Sequence, residues 1–500
     1  MKKIPINNTI LGEALIFLIL LISFVYVLPR WADPNQNSRL DMVVAVVDDG
    51  TFQIDKYVSN TVDYAKVGEH YYSDKAPGTA FIGIPIYAGI KIILDLPVMD
   101  KIVDRLSQNA AFRSTLNPEG SGIFVQKVRF AITQVILGIL VSAIPTALTG
   151  VLLFRLLKLF DPEVWSRLFV VLTYGLLTPV FTYGGAFYGH QLSAALLFGV
   201  FYLIMTRDQF PMGTLLLIGF LLGYSVITEY PSALIAGILF IYLGIKLFTS
   251  RKKFSLAWVV LSGSVVAGGW MIYNTYIFGG PFSLGYSNSE LWVAQHHTGF
   301  MSLSIPTWDA FWGITFGKFR GLFFYSPILI LGLVGGFLWL RSKRYRIEWY
   351  VAFASVISFF IFNSSSIMWW GGFAVGPRYL LPMLPFWMLF LIHPIILWRK
   401  ETWFKLLLVA LTLWSWILTW GLSLAGQAYP SDALRDPVVE YALPSWQSGN
   451  IARNLGTFLG LPGPLSIVPL LLLLCLALTG FAWNKRSMFL KSDNLRESIS

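Results

Sequence analysis

The sequence predicts an all-α polytopic membrane protein of about twelve transmembrane helices, and three observations lead there. Of 500 residues, 56% are hydrophobic and only 13% charged, where a soluble domain carries about a quarter charged residues; the mean hydropathy is +0.65. Basic clusters abut apolar stretches at Lys2-Lys3, Arg155/Lys158, Arg251-Lys252-Lys253, Arg341/Lys343/Arg344/Arg346, Arg399-Lys400 and Lys485-Arg486, which the positive-inside rule assigns to the cytoplasm. Aromatic residues make up 16% of the chain, with 19 Trp, as two interfacial belts require.

A helix needs about 20 apolar residues to cross the hydrocarbon. The candidate spans are 10–28, 130–157, 165–183, 191–206, 212–229, 232–248, 255–277, 323–340, 347–363, 379–397, 403–424 and 465–483, with both termini inside. Residues 10–28 read as a retained signal anchor, because Pro29-Arg30-Trp31 follows without a small-residue cleavage pattern. The stretch 79–95 holds Pro85 and Lys91, and a crossing there would invert every later basic cluster. It is therefore expected to lie in the outer interface. The loop 96–128 is then outside, with Lys101, Arg105, Arg113 and Lys127 nearly offset by Asp100, Asp104 and Glu119. This organisation is one transmembrane domain over 1–500, with outer segments at 29–128, 278–322 and 425–464 and a cytoplasmic tail at 484–500.

Composition also excludes classes. The net charge of +11 sits beside apolar spans, so it marks topology and contacts anionic lipid headgroups rather than nucleic acid. Cys475 is the sole cysteine, which rules out an internal disulfide. Ionisable residues are nearly absent from the span middles, Glu13 and His393 being the closest cases; an ion-coupled transporter usually keeps some there.

The suggestive polar motifs lie at the non-cytoplasmic ends. In the first outer loop, Leu40, Val43, Val44 and Val47 follow i, i+3, i+4, i+7 spacing, the apolar face of a short helix. That helix is expected to rest on lipid, with Asp41 and Asp48 turned toward a cavity and Gly50 as its stop. Thr51 to Asp55 reads as extended. Tyr71-Tyr72-Ser73-Asp74-Lys75-Ala76-Pro77-Gly78 then enters the interfacial helix, its start pre-set by Pro77. An ammonium fixed beside a carboxylate at the lipid boundary suits a phosphate together with a metal or an acceptor hydroxyl.

Further along, Arg320 and Arg378 are cations beside Gly or Pro, where backbone approaches closely and a guanidinium can grip phosphate bidentately. His190 offers a metal ligand, an orienter of a carboxylate, or a hydrogen bond at a helix start. Glu229 suits pairing with an arginine as well as catalysis. Trp369-Trp370 presents flat aromatic surface for a sugar or an interfacial belt. His296-His297, between Trp292 and Trp308, offers acceptor contact or a solvated loop.

Taken in order, these elements resemble a family. They are Asn37-Ser38-Arg39-Leu40, Gly50 to Asp55, Tyr71 to Gly78, Phe187-Tyr188-Gly189-His190, Glu229-Tyr230-Pro231, Tyr273-Asn274 with Phe278-Gly279, Arg320-Gly321-Leu322-Phe323, and Trp370-Gly371-Gly372 with Gly376-Pro377-Arg378. The set is similar to the GT-C polyprenyl-phosphate-dependent membrane glycosyltransferases: the protein O-mannosyltransferases, the lipid A aminoarabinose transferase and a bacterial core-glycosyltransferase group. The resemblance runs from about residue 10 to about 400. It implies a GT-C-like bundle with juxtamembrane helices in the first outer loop. It also implies inverting transfer of a sugar from a polyprenyl-phosphate donor to a hydroxyl of an envelope glycan, lipid or protein, on the outer face of the cytoplasmic membrane.

By the same resemblance a first-loop carboxylate is the base, Lys75 binds the donor phosphate, and Asp74 is its acidic neighbour. Where many members carry an acidic pair before the Arg-Leu, this chain has Gln36-Asn37-Ser38-Arg39. Asp41, Asp55 and Asp63 therefore stand as alternatives for the base. Arg320 and Arg378 join Lys75 on the phosphate, with Tyr72, Asp74, His190, Glu229 and Trp370 supporting substrate. A divalent cation, Mg²⁺ or Mn²⁺, is left open, with Asp74 and His190 as ligands on offer. Two other readings stand beside this one. A lipid-linked saccharide flippase requires repeats and midplane polar groups, neither of which is evident; a polyprenyl-diphosphate glycan ligase or polymerase requires a longer cationic groove.

Overall fold

The computed structural model describes residues 6–30, 33–108, 124–291 and 302–497; Trp292, His296 and His297 lie outside them. It is an all-α, multi-pass membrane protein whose twelve apolar stretches are all helical. The helices are α1 (Ile6–Tyr26), α2 (Pro34–Val44), α3 (Gly78–Leu94), α4 (Pro97–Gln108), α5 (Phe124–Leu137), α6 (Ile144–Leu157), α7 (Val164–Leu176), α8 (Gly189–Thr206), α9 (Met212–Thr228), α10 (Ala233–Thr249), α11 (Leu256–Phe278), α12 (Leu331–Ser342), α13 (Arg346–Ser365), α14 (Leu384–Trp398), α15 (Thr402–Ser423) and α16 (Val468–Glu497). Among the described residues, eight helices are long and apolar enough to cross a bilayer. Four shorter apolar helices, Ile10–Tyr26, Val164–Leu176, Met212–Thr228 and Pro327–Ser342, occupy the other expected spans.

Small residues bring these helices together, as packing in lipid requires. Gly219 of α9 lies against the Val259 backbone of α11, and Gly335 of α12 against the Phe390 carbonyl of α14. One apolar core then joins α1 with α6–α8, α10 and α12–α14 through Leu20, Leu153, Tyr174, Phe198, Phe201, Tyr242, Trp339, Phe359 and Phe386.

The first loop folds onto the bundle and corrects the expected lipid-facing helix. α2 begins earlier than the apolar spacing implied, because Asp33 caps it by accepting from the Gln36 N–H at 2.9 Å and Pro34 occupies the first turn. Leu40, Val43 and Val44 face protein, not lipid: they pack with Ile54, Ala80, Leu137, Phe187 and Tyr273 in a second core. A π-helical turn over Ala45–Asp49 then ends at Gly50 in the left-handed region (φ 68°), the stop the sequence indicates. Residues 51–55 form no strand. Extended pairing falls instead on β1 (Tyr64–Val67) and β2 (His70–Ser73), an antiparallel hairpin with Tyr64 opposite Ser73. The apolar stretch after Pro77 is helical as α3, and the chain turns through 94° into α4.

Candidate functional site

The hairpin register builds half of the site. Because Tyr64 pairs with Ser73, Asp63 just before β1 faces the chain just after β2. Lys75 Nζ consequently lies 2.9 Å from Asp63 Oδ2 and 3.1 Å from Asp74 Oδ1. Its ammonium also stands over the Tyr286 ring at 5.7 Å. A hydroxyl contact between Ser38 and Ser73, 2.8 Å, ties the hairpin to α2. Burial alone disfavours the Lys75 ammonium, but Asp63 and Asp74 outweigh it and hold Lys75 above its ordinary value. Burial pushes the Asp74 carboxyl up, with Lys75 pulling the other way.

The helix starts build the other half. Gly376 (φ 64°) and Pro377 turn the chain so that Arg378 stands at the head of the segment leading into α14. Its guanidinium lies over the Tyr188 ring (5.2 Å) and the Tyr379 ring (5.4 Å) and donates to the Tyr188 hydroxyl at 3.1 Å. Tyr188 in turn donates to Asp33 Oδ2 at 2.7 Å. Tyr188 therefore links a carboxylate to a cation that forms no ion pair among the described residues and whose Nε has no partner there. His190 stacks on Tyr188 (5.8 Å) and meets Tyr379 edge-on (5.7 Å). Its Nδ1 lies 3.4 Å from Glu229 Oε1, the same oxygen that Arg39 Nη2 contacts at 2.9 Å. Burial raises both the Asp33 and the Glu229 carboxyls, opposed at Asp33 by Tyr188 and at Glu229 by Arg39.

Asp33, Arg39, Asp63, Lys75, His190, Glu229 and Arg378 line one cavity of about 370 Å³. Leu234, Leu284, Leu303, Phe359, Phe362 and Phe373 supply its apolar lining. The basic clusters lie at the opposite ends of α10, α13 and α14 from the residues these helices give to the cavity. The cavity is thus amphipathic, with charge gathered at helix ends, where broken backbone leaves room for it.

Several expected site residues are placed elsewhere. Asp41 is fully buried on the far side of α2, with Asn60 donating to it at 3.3 Å; burial holds its carboxyl well above the usual range, and it does not line the cavity, so no acceptor hydroxyl reaches it. Asp55 pairs with His70 at 2.7 Å on the exposed side of the hairpin, outside the cavity lining. Arg320 is buried and held by backbone, four of its N–H donors going to the carbonyls of Phe319, Trp370, Gly372 and Pro430 at 2.9–3.4 Å. It does not line the cavity and instead holds the Gly371-Gly372 turn against it. Trp370 itself does not line the cavity, and Tyr72 packs edge-on against Phe278. Asp74 touches the cavity only through Lys75.

The residue the sequence reading passed over is Asp33. Its signal was present: an Asp-Pro pair directly after the first span marks a helix start. Capping alone, however, carries no hint of the tyrosine and arginine brought to it from residues 188 and 378. For a divalent cation the donor set fits poorly. No group of three or more His, Cys, Asp or Glu side chains stands ready to hold a metal among the described residues, and Asp74 faces an ammonium.

Fold and site define a multi-pass membrane protein with an amphipathic, charge-lined cavity at one end of its helices. No family model and no curated protein matches the chain. Among solved structures it is similar to the crystal structure of ArnT from Cupriavidus metallidurans bound to undecaprenyl phosphate. The identity is 13% and the TM-score 0.45; the match covers 81% of this chain and spans 63% of that one.

Proposed function

We propose that this chain is a GT-C-type glycosyltransferase that moves a sugar from a polyprenyl-phosphate donor to an acceptor hydroxyl, at the outer face of the cytoplasmic membrane. The observation that carries the reading is the cavity's division between buried cations and apolar side chains. An amphiphile with a phosphate joining sugar to hydrocarbon needs both surfaces in one place. Charges gathered at helix ends rather than mid-span favour chemistry over ion-coupled transport.

Asp33 takes the role of base. Asp63, the other first-loop carboxylate lining the cavity, is engaged by the Lys75 ammonium at 2.9 Å, so it faces a cation rather than an acceptor hydroxyl. Asp33 has a tyrosine hydroxyl and one backbone N–H, and each carboxylate oxygen keeps a second lone pair. In the step, the acceptor hydroxyl gives its proton to Asp33 as its oxygen bonds to the anomeric carbon. The carbon–oxygen bond to the phosphate breaks, and the polyprenyl phosphate leaves with the electron pair. One displacement inverts the anomeric centre. The phosphate gains charge as it departs, so preformed cations in a water-poor cavity act most strongly there. Arg378, which pairs with no carboxylate among the described residues, and Lys75, held charged by Asp63 and Asp74, supply them. Arg39, Glu229 and His190 brace the far end of the same cluster.

Envelope glycolipids and glycans from cells carrying the wild type, the Asp33→Asn variant, or no copy of the gene test this by mass spectrometry. The expected result is one sugar residue present only with the wild type, together with release of polyprenyl phosphate by the purified protein. Identical envelopes and no such release would sink the reading.

A further inference from the structure

A second polar patch in the cavity has a chemistry distinct from the charged one. Asn363, near the end of α13, and Ser232, at the start of α10, both line the cavity and are almost fully buried, at 1% and 0% exposure. α10 and α13 pack directly on each other. Asn363 Nδ2 donates to the Phe359 carbonyl at 2.8 Å, one turn back on α13. That bond fixes which way the amide points, because a carbonyl can be met only by the NH₂ side. The Oδ1 atom is left without a partner among the described residues, and so is Ser232 Oγ. Leaving a buried acceptor unmet costs about 1–3 kcal/mol, a cost that a bound ligand offering an N–H or O–H removes.

The sign of that acceptor selects what can bind. A phosphate oxygen would face a carbonyl oxygen and be repelled, so this patch does not serve the phosphate. An ammonium would look for a carboxylate, and the cavity's carboxylates, Asp33, Asp63 and Glu229, belong to the cation cluster. A neutral hydroxyl satisfies Asn363 by donating, and Ser232 can donate or accept in return.

We propose that Asn363 and Ser232 form the hydroxyl-recognition subsite for the donor sugar, selecting a neutral sugar by one ring hydroxyl that donates to Asn363 Oδ1. This rests on the glycosyl-transfer reading above and adds to it the class of sugar and the residues that select it. The phosphate then lies toward Arg378 and Lys75, and the ring toward α10 and α13.

The test uses the full-length protein in detergent or liposomes with synthetic polyprenyl-phosphate hexoses and pentoses. The best donor is then compared with its monodeoxy analogues. For the wild type, one deoxy analogue is expected to fall about 10- to 100-fold below its parent in kcat/KM, the range of one buried hydrogen bond. In Asn363→Ala the parent should fall to the level of that analogue while the analogue is unchanged, so the discrimination collapses. Ser232→Ala provides the same comparison should Asn363→Ala fail to fold, with a smaller collapse expected. Discrimination that survives in both variants overturns the subsite while leaving glycosyl transfer intact. A wild type that turns over none of these donors overturns both.

Discussion

The inner and outer faces of the first loop, residues 33–78, carry the same residue types with opposite consequences. On the cavity side, Asp33, Asp63 and Asp74 are buried and Lys75 is largely so, all held by Tyr188, by each other and by a capped helix. On the outer side, Asp49 pairs with Lys56 at 3.0 Å and Asp55 with His70 at 2.7 Å, in water. Water screens the outer pairs, so each contributes about 0–1 kcal/mol. The inner charges are largely shielded from it, and there a fixed cation would act more strongly on an anionic group. Electrostatic chemistry follows burial rather than the presence of charge.

The widest contrast is expected between carboxylates on the two faces. Asp33→Asn should lower kcat by about 10²–10⁴-fold, the usual contribution of a positioned base. Asp55→Asn should leave turnover within about 2-fold and stability within about 0.5 kcal/mol. Side-by-side kinetics of the two variants would break the comparison if they came out alike.

Two of the buried arginines, Arg378 and Arg320, give the next largest effect, and here the kind of defect differs. Arg378→Ala should lose about 10²–10³-fold in kcat with little change in the melting transition, since only the Tyr188 hydroxyl loses a donor and its O–H still meets Asp33. Arg320→Ala should melt earlier, because the Trp370 and Gly372 carbonyls lose their donor, each at a cost of about 1–3 kcal/mol, while Phe319 and Pro430 keep Tyr325 and Ala374. Thermal melts alongside turnover separate the two. Equal thermal losses would mean that Arg378 is as structural as Arg320.

A smaller effect sharpens the role of Tyr188. Burial raises the Asp33 carboxyl, and the Tyr188 hydrogen bond pulls it back down. The base must be ionised, so kcat/KM should rise with pH through an acid limb set above the ordinary aspartate range. Tyr188→Phe removes the lowering contribution and should move that limb to still higher pH, with a loss of about 10-fold or less above the limb. The sign for stability is the reverse. A raised carboxyl favours the folded state while protonated, and that contribution fades as pH climbs from the ordinary aspartate range through the raised value. A limb that stays put in Tyr188→Phe would remove Asp33 from the proton transfer.

The smallest effect concerns the brace. Gly189 has no side chain because a Cβ there would meet Glu229 Oε1 and the Thr228 carbonyl. Gly189→Ala should displace Glu229 from Arg39 and His190 and raise KM several-fold more than it lowers kcat. An unchanged KM would leave Glu229 a purely structural partner of Arg39.

The candidate site was legible in part. Lys75 and Asp74, His190, Glu229 and Arg378 stood out because ionisable groups beside Gly, Pro and aromatic residues at span ends are costly in lipid and so carry meaning. Arg320 has the same local sequence character as Arg378, and nothing in the chain order says that four carbonyls will surround one and two aromatic rings the other. Asp41 was chosen by helical periodicity, which states that it lies opposite the apolar residues but not that both faces of α2 would be buried.

Hydropathy and basic clusters, read from the chain alone, determined the helix content, the apolar stretches that form helices and the end of the bundle at which the polar motifs gather, since lipid admits few ways to satisfy a backbone. Which carboxylate meets which cation was decided only by tertiary structure. The hairpin register brings residue 63 to 75, and packing of helix starts brings 33, 188 and 378 together. Electrostatics inside the cavity depends on distance and desolvation, and neither is a property of sequence spacing.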